Sequence, residues 1–273
     1  MNGSKPEVMV VGAGGGIGRA LTVLLPSLGY DVTAADSDSA GLCSLAADCP
    51  DGLEILELDI TRRAAVAETA GRYMESGRRL RGLVITAAVH STHPAAYLED
   101  RIIDRVLEVN LTSHIKLVRD FLPVLESRGS LIGVSSIAAC VGVPMSSMYS
   151  ASKWGLEGFY ESLCNELRHR GTRVSIIHPG NVNTGFNETG NTYTTGSGDP
   201  FTDACYKRVL GRIDSRFGIP PERVARVIAG VLRRRRPRFC YVVGGNARKA
   251  NWAKKLLGRD MALRLMGRFF GFR

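Results

Sequence analysis

The chain has 273 residues, enough for one large α/β domain or two small ones, and ample for a packed core. An apolar share of 44% against 23% charged residues excludes a disordered chain, and no apolar run approaches the roughly 20 residues of a membrane-spanning helix. The net charge of +10 is uneven: residues 233–273 hold thirteen Lys or Arg against one acid, Asp260, which leaves residues 1–232 at −2, so the basic balance is no argument for a nucleic-acid-binding body.

The opening Met1-Asn2-Gly3-Ser4-Lys5-Pro6 leads straight into an apolar strand at Val8 and lacks a charged-then-apolar leader pattern. Cys43, Cys49, Cys140, Cys164, Cys205 and Cys240 are scattered and form no Cys-x-x-Cys pair. In a chain this long they read as reduced thiols, which sets the expectation of a cytoplasmic protein.

Short Val- and Ile-rich runs fall at Val8–Val11, Val32–Ala35, Glu54–Leu58, Leu83–Thr86, Ser130–Val134, Val174–Ile177 and Phe239–Val243. Most are apolar on both faces of the pleat, as strands buried between two helical layers are. Helical periodicity fills the gaps at about 16–28, 39–47, 62–76, 98–127, 150–170 and 221–235. Alternating strands and helices mean a parallel sheet with right-handed crossovers, and seven strands in this order point to a single α/β domain with a doubly wound Rossmann-type sheet and helices on both faces. That domain is expected over residues 1–246. Residues 181–220, rich in Gly, Thr, Asn and Ser without a clean period, are expected to form a substrate loop, because they follow a strand's carboxyl end, where such sheets bind ligands. Residues 247–273 form a basic tail in which Trp252, Leu256, Leu263, Met266 and Phe270 share one helical face. Such a helix lies on an anionic membrane surface or docks on the body or a partner, and the sequence leaves both open; nucleic acid is the weaker third reading.

The first strand runs into Gly12-Ala13-Gly14-Gly15-Gly16-Ile17-Gly18, and a helix starts at once. Glycines let the backbone turn sharply and approach a ligand, and the helix start offers free N–H groups to a pyrophosphate. The second strand ends on Asp36, placed to accept hydrogen bonds from ribose hydroxyls and to repel a 2′-phosphate. No Lys or Arg lies in the loop or directly after Asp36, so NAD is favoured over NADP.

Ser136 closes the fifth strand, Tyr149 follows thirteen residues on, and Lys153 four further, on the same helical face as Tyr149. Moving a phenol from a pKa of about 10 to near 7 takes about 4 kcal/mol. A neighbouring ammonium and a cationic nicotinamide are what can supply it, so Lys153 is expected to lower the pKa of Tyr149 and hold the nicotinamide ribose, while Ser136 polarises a substrate oxygen.

The Gly12-x-x-x-Gly16-x-Gly18 spacing, Ser135-Ser136 at a strand end and Tyr149-Ser150-Ala151-Ser152-Lys153 together resemble the short-chain dehydrogenase/reductase family, in order, over about residues 7 to 243. The resemblance implies an NAD(P)-dependent enzyme that interconverts a secondary alcohol and a ketone, with a small-molecule substrate and a homodimer or homotetramer paired through long helices, where Gly155 and Gly158 would permit close approach. It implies a fourth catalytic member, Asn110, holding a water in a proton relay, and no catalytic metal. It implies cofactor contacts at Gly12, Gly16, Ile17, Gly18, Asp36, Asp59, Ile60, Ala87, Asn110, Tyr149, Lys153, Pro179, Gly180, Val182 and Thr184. Two departures stand out. Val11 replaces the usual Thr, and Ile85-Thr86-Ala87-Ala88 replaces the usual Asn-Asn-Ala-Gly, read here as a linked loss of polar side chains. His90 and His93 lack a third metal ligand at sensible spacing and read as a polar loop. An apolar tail suits a lipophilic substrate. The competing reading is a catalytically silent dinucleotide-binding sensor or scaffold of the same fold.

Overall fold

The computed structural model describes residues 5–49, 53–186, 191–193, 199–214 and 217–272. The reading of residues 1–4, and residues 187–190, 194–198 and 215–216 of the expected substrate loop, lie outside the described residues. In chain order the elements are β1 Glu7–Val11, α1 Gly16–Leu24, β2 Asp31–Asp36, α2 Ser39–Asp48, β3 Leu53–Glu57, α3 Arg63–Glu75, β4 Leu80–Ile85, β5 Ser91–Thr92, α4 Asp100–Leu107, α5 His114–Phe121, β6 Leu125–Val134, α6 Ser147–Glu166, β7 Arg173–Pro179, β8 Asn191–Thr192, α7 Pro200–Ile213, α8 Pro221–Arg233, β9 Cys240–Val243 and α9 Gly245–Phe270. Seven strands form one parallel sheet in the order β3-β2-β1-β4-β6-β7-β9, the doubly wound arrangement expected. The order reverses between β1 and β4, which opens the ligand crevice at their carboxyl ends.

Each face of the sheet buries its own apolar layer. On one face Leu21 and Leu25, Leu42 and Leu45 of α2, and Val224, Ile228 and Leu232 of α8 cover Val8, Val10 and Val84. On the other, Val66 and Tyr73 of α3, Leu117 and Phe121 of α5, and Leu156, Tyr160 and Leu163 of α6 cover Met9, Leu83 and Leu131. Burial of this kind is worth about 25 cal/mol per Å², which holds the helices on the sheet without strong helical propensity.

Three expectations need correction. The helix expected to run to residue 127 stops at Phe121, and Leu125 already pairs with Leu80 in β6. Pro123 ends it, because it has no N–H to donate to the carbonyl one turn back. Between the Leu80 and Gly82 pairs the register of β6 shifts, and Arg128 there has φ 64°. The segment expected to be irregular carries a fourteen-residue helix, α7, started by Asp199, whose carboxylate accepts the Phe201 N–H, and by Pro200 in the first turn. The tail is not one amphipathic face: Gly258 has φ 77° and ψ 172° and kinks α9, and Phe270 is buried while Trp252, Leu256 and Leu263 are exposed.

Seating of α6 decides where Tyr149 and Lys153 lie. A Cβ on Gly133 would stand 2.6 Å from the Tyr160 ring, so only glycine lets α6 settle flush on β6. Tyr160 is buried and its hydroxyl pairs with His114 Nε2 at 2.8 Å. Of the two glycines expected at a subunit contact, Gly155 packs within the chain, where a Cβ would meet Leu111 at 2.9 Å, while Gly158 stays open. Gly133→Val should therefore displace α6: we expect a loss of about 1–3 kcal/mol in urea denaturation, and a change below about 0.5 kcal/mol would contradict the flush packing.

Candidate active site

The loop between β1 and α1 is built as the glycine spacing demanded. Gly12 has φ 88°, and the N–H groups of Gly12 and Ala13 both donate to Ala35 O, at 2.8 and 3.1 Å. A Cβ on Gly18 would collide with the Gly12 carbonyl, whereas one on Gly15 would meet only Gly12 O at 3.5 Å and otherwise occupy the crevice. Glycine at 15 thus leaves that part of the crevice open. The carboxylate of Asp36 accepts the Gly14 N–H at 2.8 Å and the Asp38 N–H at 3.0 Å, so it both fixes the loop and lines the crevice. Arg19, the nearest cation in sequence, is drawn away to Asp48. The expected loss of polar side chains at the sheet's end is corrected by Thr86. Its hydroxyl lies 3.0 Å from Val11 O and 2.9 Å from Gly12 O, joining β4 to the glycine loop.

Ser136, in extended backbone after β6, accepts the Ala138 N–H at 3.1 Å. Tyr149 and Lys153 lie one turn apart in α6, both buried. The Lys153 ammonium donates to Val134 O at 3.1 Å and sits 5.6 Å from the centre of the Tyr149 ring. Burial pushes the Tyr149 phenol up to about 12, against the opposing hydrogen bond from Ser136, and burial draws Lys153 down to about 7. Lys153 is expected to lower the phenol's pKa together with a cationic nicotinamide; within the chain alone both groups lose solvation, and each is held toward its neutral form.

His90 and His93, on either side of β5, are buried. His93 Nδ1 pairs with Ser91 Oγ at 3.1 Å, and His90 Nδ1 with Thr92 Oγ1 at 3.4 Å. The His90 ring stands edge-on to Tyr149 with centroids 4.7 Å apart and lines the crevice. Burial, then the charge of Lys153, holds its pKa at about 4, so it faces the site neutral. Its place directly after a strand ending at the crevice was the signal available in the sequence.

Asn110 sits on a π-helical turn, Glu108–Ser113, between α4 and α5. It is 0% exposed and does not reach the crevice. Its Nδ2 donates to Val89 O at 2.8 Å and to Ser152 Oγ at 3.1 Å, and its Oδ1 accepts the Val89 N–H at 2.7 Å. The side chain therefore clamps the loop after β4 to α6.

The other sequence-derived residues meet around one cavity of 960 Å³: Gly12, Gly16, Ile17, Gly18, Asp36, Asp59, Ile60, Ala87, Ser136, Tyr149, Lys153, Pro179, Gly180, Val182 and Thr184. Such a volume stands at the upper end of the range of about 300–1,000 Å³ for ligand pockets. Sequence reasoning missed its far wall: Val141, Val143 and Phe186, with Ala250, Ala253, Leu265, Met266 and Phe269 of α9. Pro179 is held in place by its neighbour His178, whose Nε2 lies 2.6 Å from Glu157 Oε2 and whose Nδ1 lies 3.2 Å from Cys140 Sγ.

A family model described as short chain dehydrogenase matches residues 6–193. The chain belongs to the short-chain dehydrogenase family. It is 33% identical over 196 residues to 17-beta-hydroxysteroid dehydrogenase type 1 of Homo sapiens, covering 68% of this chain and 59% of that one, and so spans about three-fifths of that relative's length. It is 24% identical over 249 residues to 3-ketodihydrosphingosine reductase of Bacteroides thetaiotaomicron, covering 88% of each. Two solved structures share the fold: a short-chain dehydrogenase from Streptomyces avermitilis (TM-score 0.81, 24% identity, 94% of this chain and 95% of that one) and one from Burkholderia phymatum in complex with NAD (TM-score 0.76, 22% identity, 94% and 97%).

The ammonium of this short-chain dehydrogenase has a stability signature. Between pH about 7 and 10.5 the unfolded chain keeps a proton on Lys153 that the folded chain has lost, so stability rises with pH across that window. Lys153→Met removes the buried charge. Chemical denaturation should find the variant more stable than the parent at pH 7, with the difference shrinking toward pH 10.5; a constant difference would contradict the buried-charge account.

Proposed function

We propose that the protein is an NAD-dependent oxidoreductase that interconverts a secondary alcohol and a ketone on a lipophilic substrate, with Tyr149 as general acid and base. The observation that carries this reading is the single cavity shared by the glycine loop, Ser136, Tyr149 and Lys153. The glycine loop would receive the pyrophosphate, Asp36 the adenosine ribose, Asp59 and Ile60 the adenine, Lys153 the nicotinamide ribose, and Pro179, Gly180, Val182 and Thr184 the nicotinamide amide. When bound, a nicotinamide dinucleotide supplies the two-electron acceptor or donor. The chain's own residues handle the oxygen. Ser136 would orient it by a hydrogen bond, and Tyr149 would give it a proton as the phenol in reduction and take one as the phenolate in oxidation. Asn110 contributes by fixing the loop that carries His90 against α6, and the second lone pair of its Oδ1 is what a relay water would use.

The far wall supports the lipophilic substrate, since Val141, Val143, Phe186 and the apolar residues of α9 offer few polar partners. The relatives agree in kind: one is named for a hydroxysteroid, an alcohol, and another for a ketodihydrosphingosine, a ketone, both on largely apolar skeletons. Open Gly158 on α6 supports pairing through that helix in a homodimer or homotetramer.

Tyr149→Phe separates an enzyme from a silent sensor. Turnover of lipophilic ketones, followed at the nicotinamide absorbance, should fall by about 10²–10⁴-fold with NADH binding retained; an unchanged rate would overturn the role of Tyr149, and a parent inert to every ketone that still binds NADH would favour the sensor. Replacing Asp36 by Ala should weaken NADH binding and narrow its advantage over NADPH by about ten-fold or more. An unchanged ratio of the two dissociation constants would remove Asp36 as the selectivity residue.

A further inference from the structure

Helix α9 has two faces with different company. Before the kink at Gly258, Ala247, Ala250 and Ala253 turn inward and wall the cavity. Arg248, Trp252, Lys255 and Leu256 fall on the opposite arc, and Trp252 and Leu256 are 62% and 72% exposed. After the kink Ala262 and Phe270 are buried, while Leu263 is exposed between Arg259, Arg264 and Arg268. Leu265 and Phe269 line the cavity and are also exposed, so the cavity and the outer apolar surface are continuous there.

The helix is clipped to the body on both sides of its kink. Lys254 lies 4.4 Å and Arg259 5.6 Å from the centre of the Trp154 ring. Arg212 of α7 stacks on Phe269 at 4.5 Å. These contacts fix which face of α9 looks out. Arg248, Lys255, Arg264 and Arg268 have no ion pair among the described residues. Exposed Trp and Leu ringed by unpaired cations match the interface of an anionic bilayer: the apolar side chains enter the acyl boundary and the cations meet phosphate. Among the described residues no helix is long and apolar enough to cross a membrane, so the contact is with one leaflet.

We propose that the outer face of α9 docks the protein on an anionic lipid bilayer, setting the mouth of the cavity at the lipid surface so that an apolar substrate passes to Tyr149 without crossing water. The docking stands alone, whereas the delivery rests on the oxidoreductase reading above.

Sedimentation with vesicles of phosphatidylcholine and phosphatidylglycerol, compared with pure phosphatidylcholine, tests the docking. The parent should pellet with the anionic vesicles, less so as salt rises. Trp252→Ala/Leu256→Ala should partition about ten-fold more weakly, and Lys255→Ala by up to about five-fold. Neither variant touches the cavity, so turnover of a short water-soluble ketone should match the parent, and a parent-like thermal melt certifies the fold. Delivery is read as faster turnover of a long-chain ketone on anionic vesicles in the parent alone. Equal pelleting of parent and variants, or none by the parent, would overturn the docking. A change of oligomeric state in Trp252→Ala/Leu256→Ala without vesicle binding would make the face a subunit contact instead. Inertness toward every ketone would sink the oxidoreductase reading while leaving the pelleting result legible.

Discussion

An ammonium buried at the carboxyl end of a parallel sheet is the constraint on which the site depends. Lys153 keeps its proton only if something replaces water, and its one hydrogen-bond partner among the described residues is Val134 O, the last carbonyl of β6. That bond requires α6 to lie flush on β6, which Gly133 and Tyr160 permit. Once α6 is seated, Tyr149 one turn earlier faces the crevice beside Ser136, and Ser152 meets Asn110. The clamp then carries over to Val89, and so to His90 against the phenol. Each link is a short-range contact, yet the chain of them joins β4, β6, α6 and the turn between α4 and α5 in one arrangement. Desolvation then leaves a neutral phenol and a lysine poised near neutrality. The phenol can give up its proton only where a neighbouring positive charge, on Lys153 or on a bound nicotinamide, offsets the buried phenolate that is left.

The cavity is polar at one end and apolar at the other, and the two ends have different structural origins. Strand ends and the glycine loop supply the first, through backbone N–H groups and the Asp36 carboxylate. These belong to the sheet and are as rigid as it is. Val141, Val143 and Phe186, within the matched residues, and helix α9, beyond them, supply the second. The part that would meet a cofactor thus lies mostly within the matched residues, and the part that would meet a substrate draws both on them and on α9 beyond them.

The same division explains what the sequence made legible. Local rules sufficed where neighbours in sequence are neighbours in space: the glycine loop, the i,i+4 pair of Tyr149 and Lys153, and six of seven strands to within three residues. Non-local packing hid the rest. Nothing in the text around Thr86 says that its hydroxyl will bridge two strand ends, and nothing near Asn110 says that its amide will be consumed by Val89. The opposed pKa shifts of Tyr149 and Lys153 come from burial, which spacing does not report. The tail misled in a different way. Its apolar residues do fit one helical face, but the glycine at 258 breaks the helix, and Met266 and Phe270 line the cavity while Trp252, Leu256 and Leu263 are exposed. Pro123, by contrast, was a readable stop that the apolar period overrode.

The central claim is that Tyr149 is a phenol tuned by burial, beside an ammonium, at a dinucleotide site. Nuclear magnetic resonance of ζ-carbon-labelled tyrosine, with the Tyr149 signal assigned by its loss in Tyr149→Phe, measures this directly. In the free protein the signal should remain that of a phenol through pH 10, and saturation with NAD⁺ should draw its titration downward. A Tyr149 signal that titrates near 10, as a solvated tyrosine does, and ignores the dinucleotide would contradict the account.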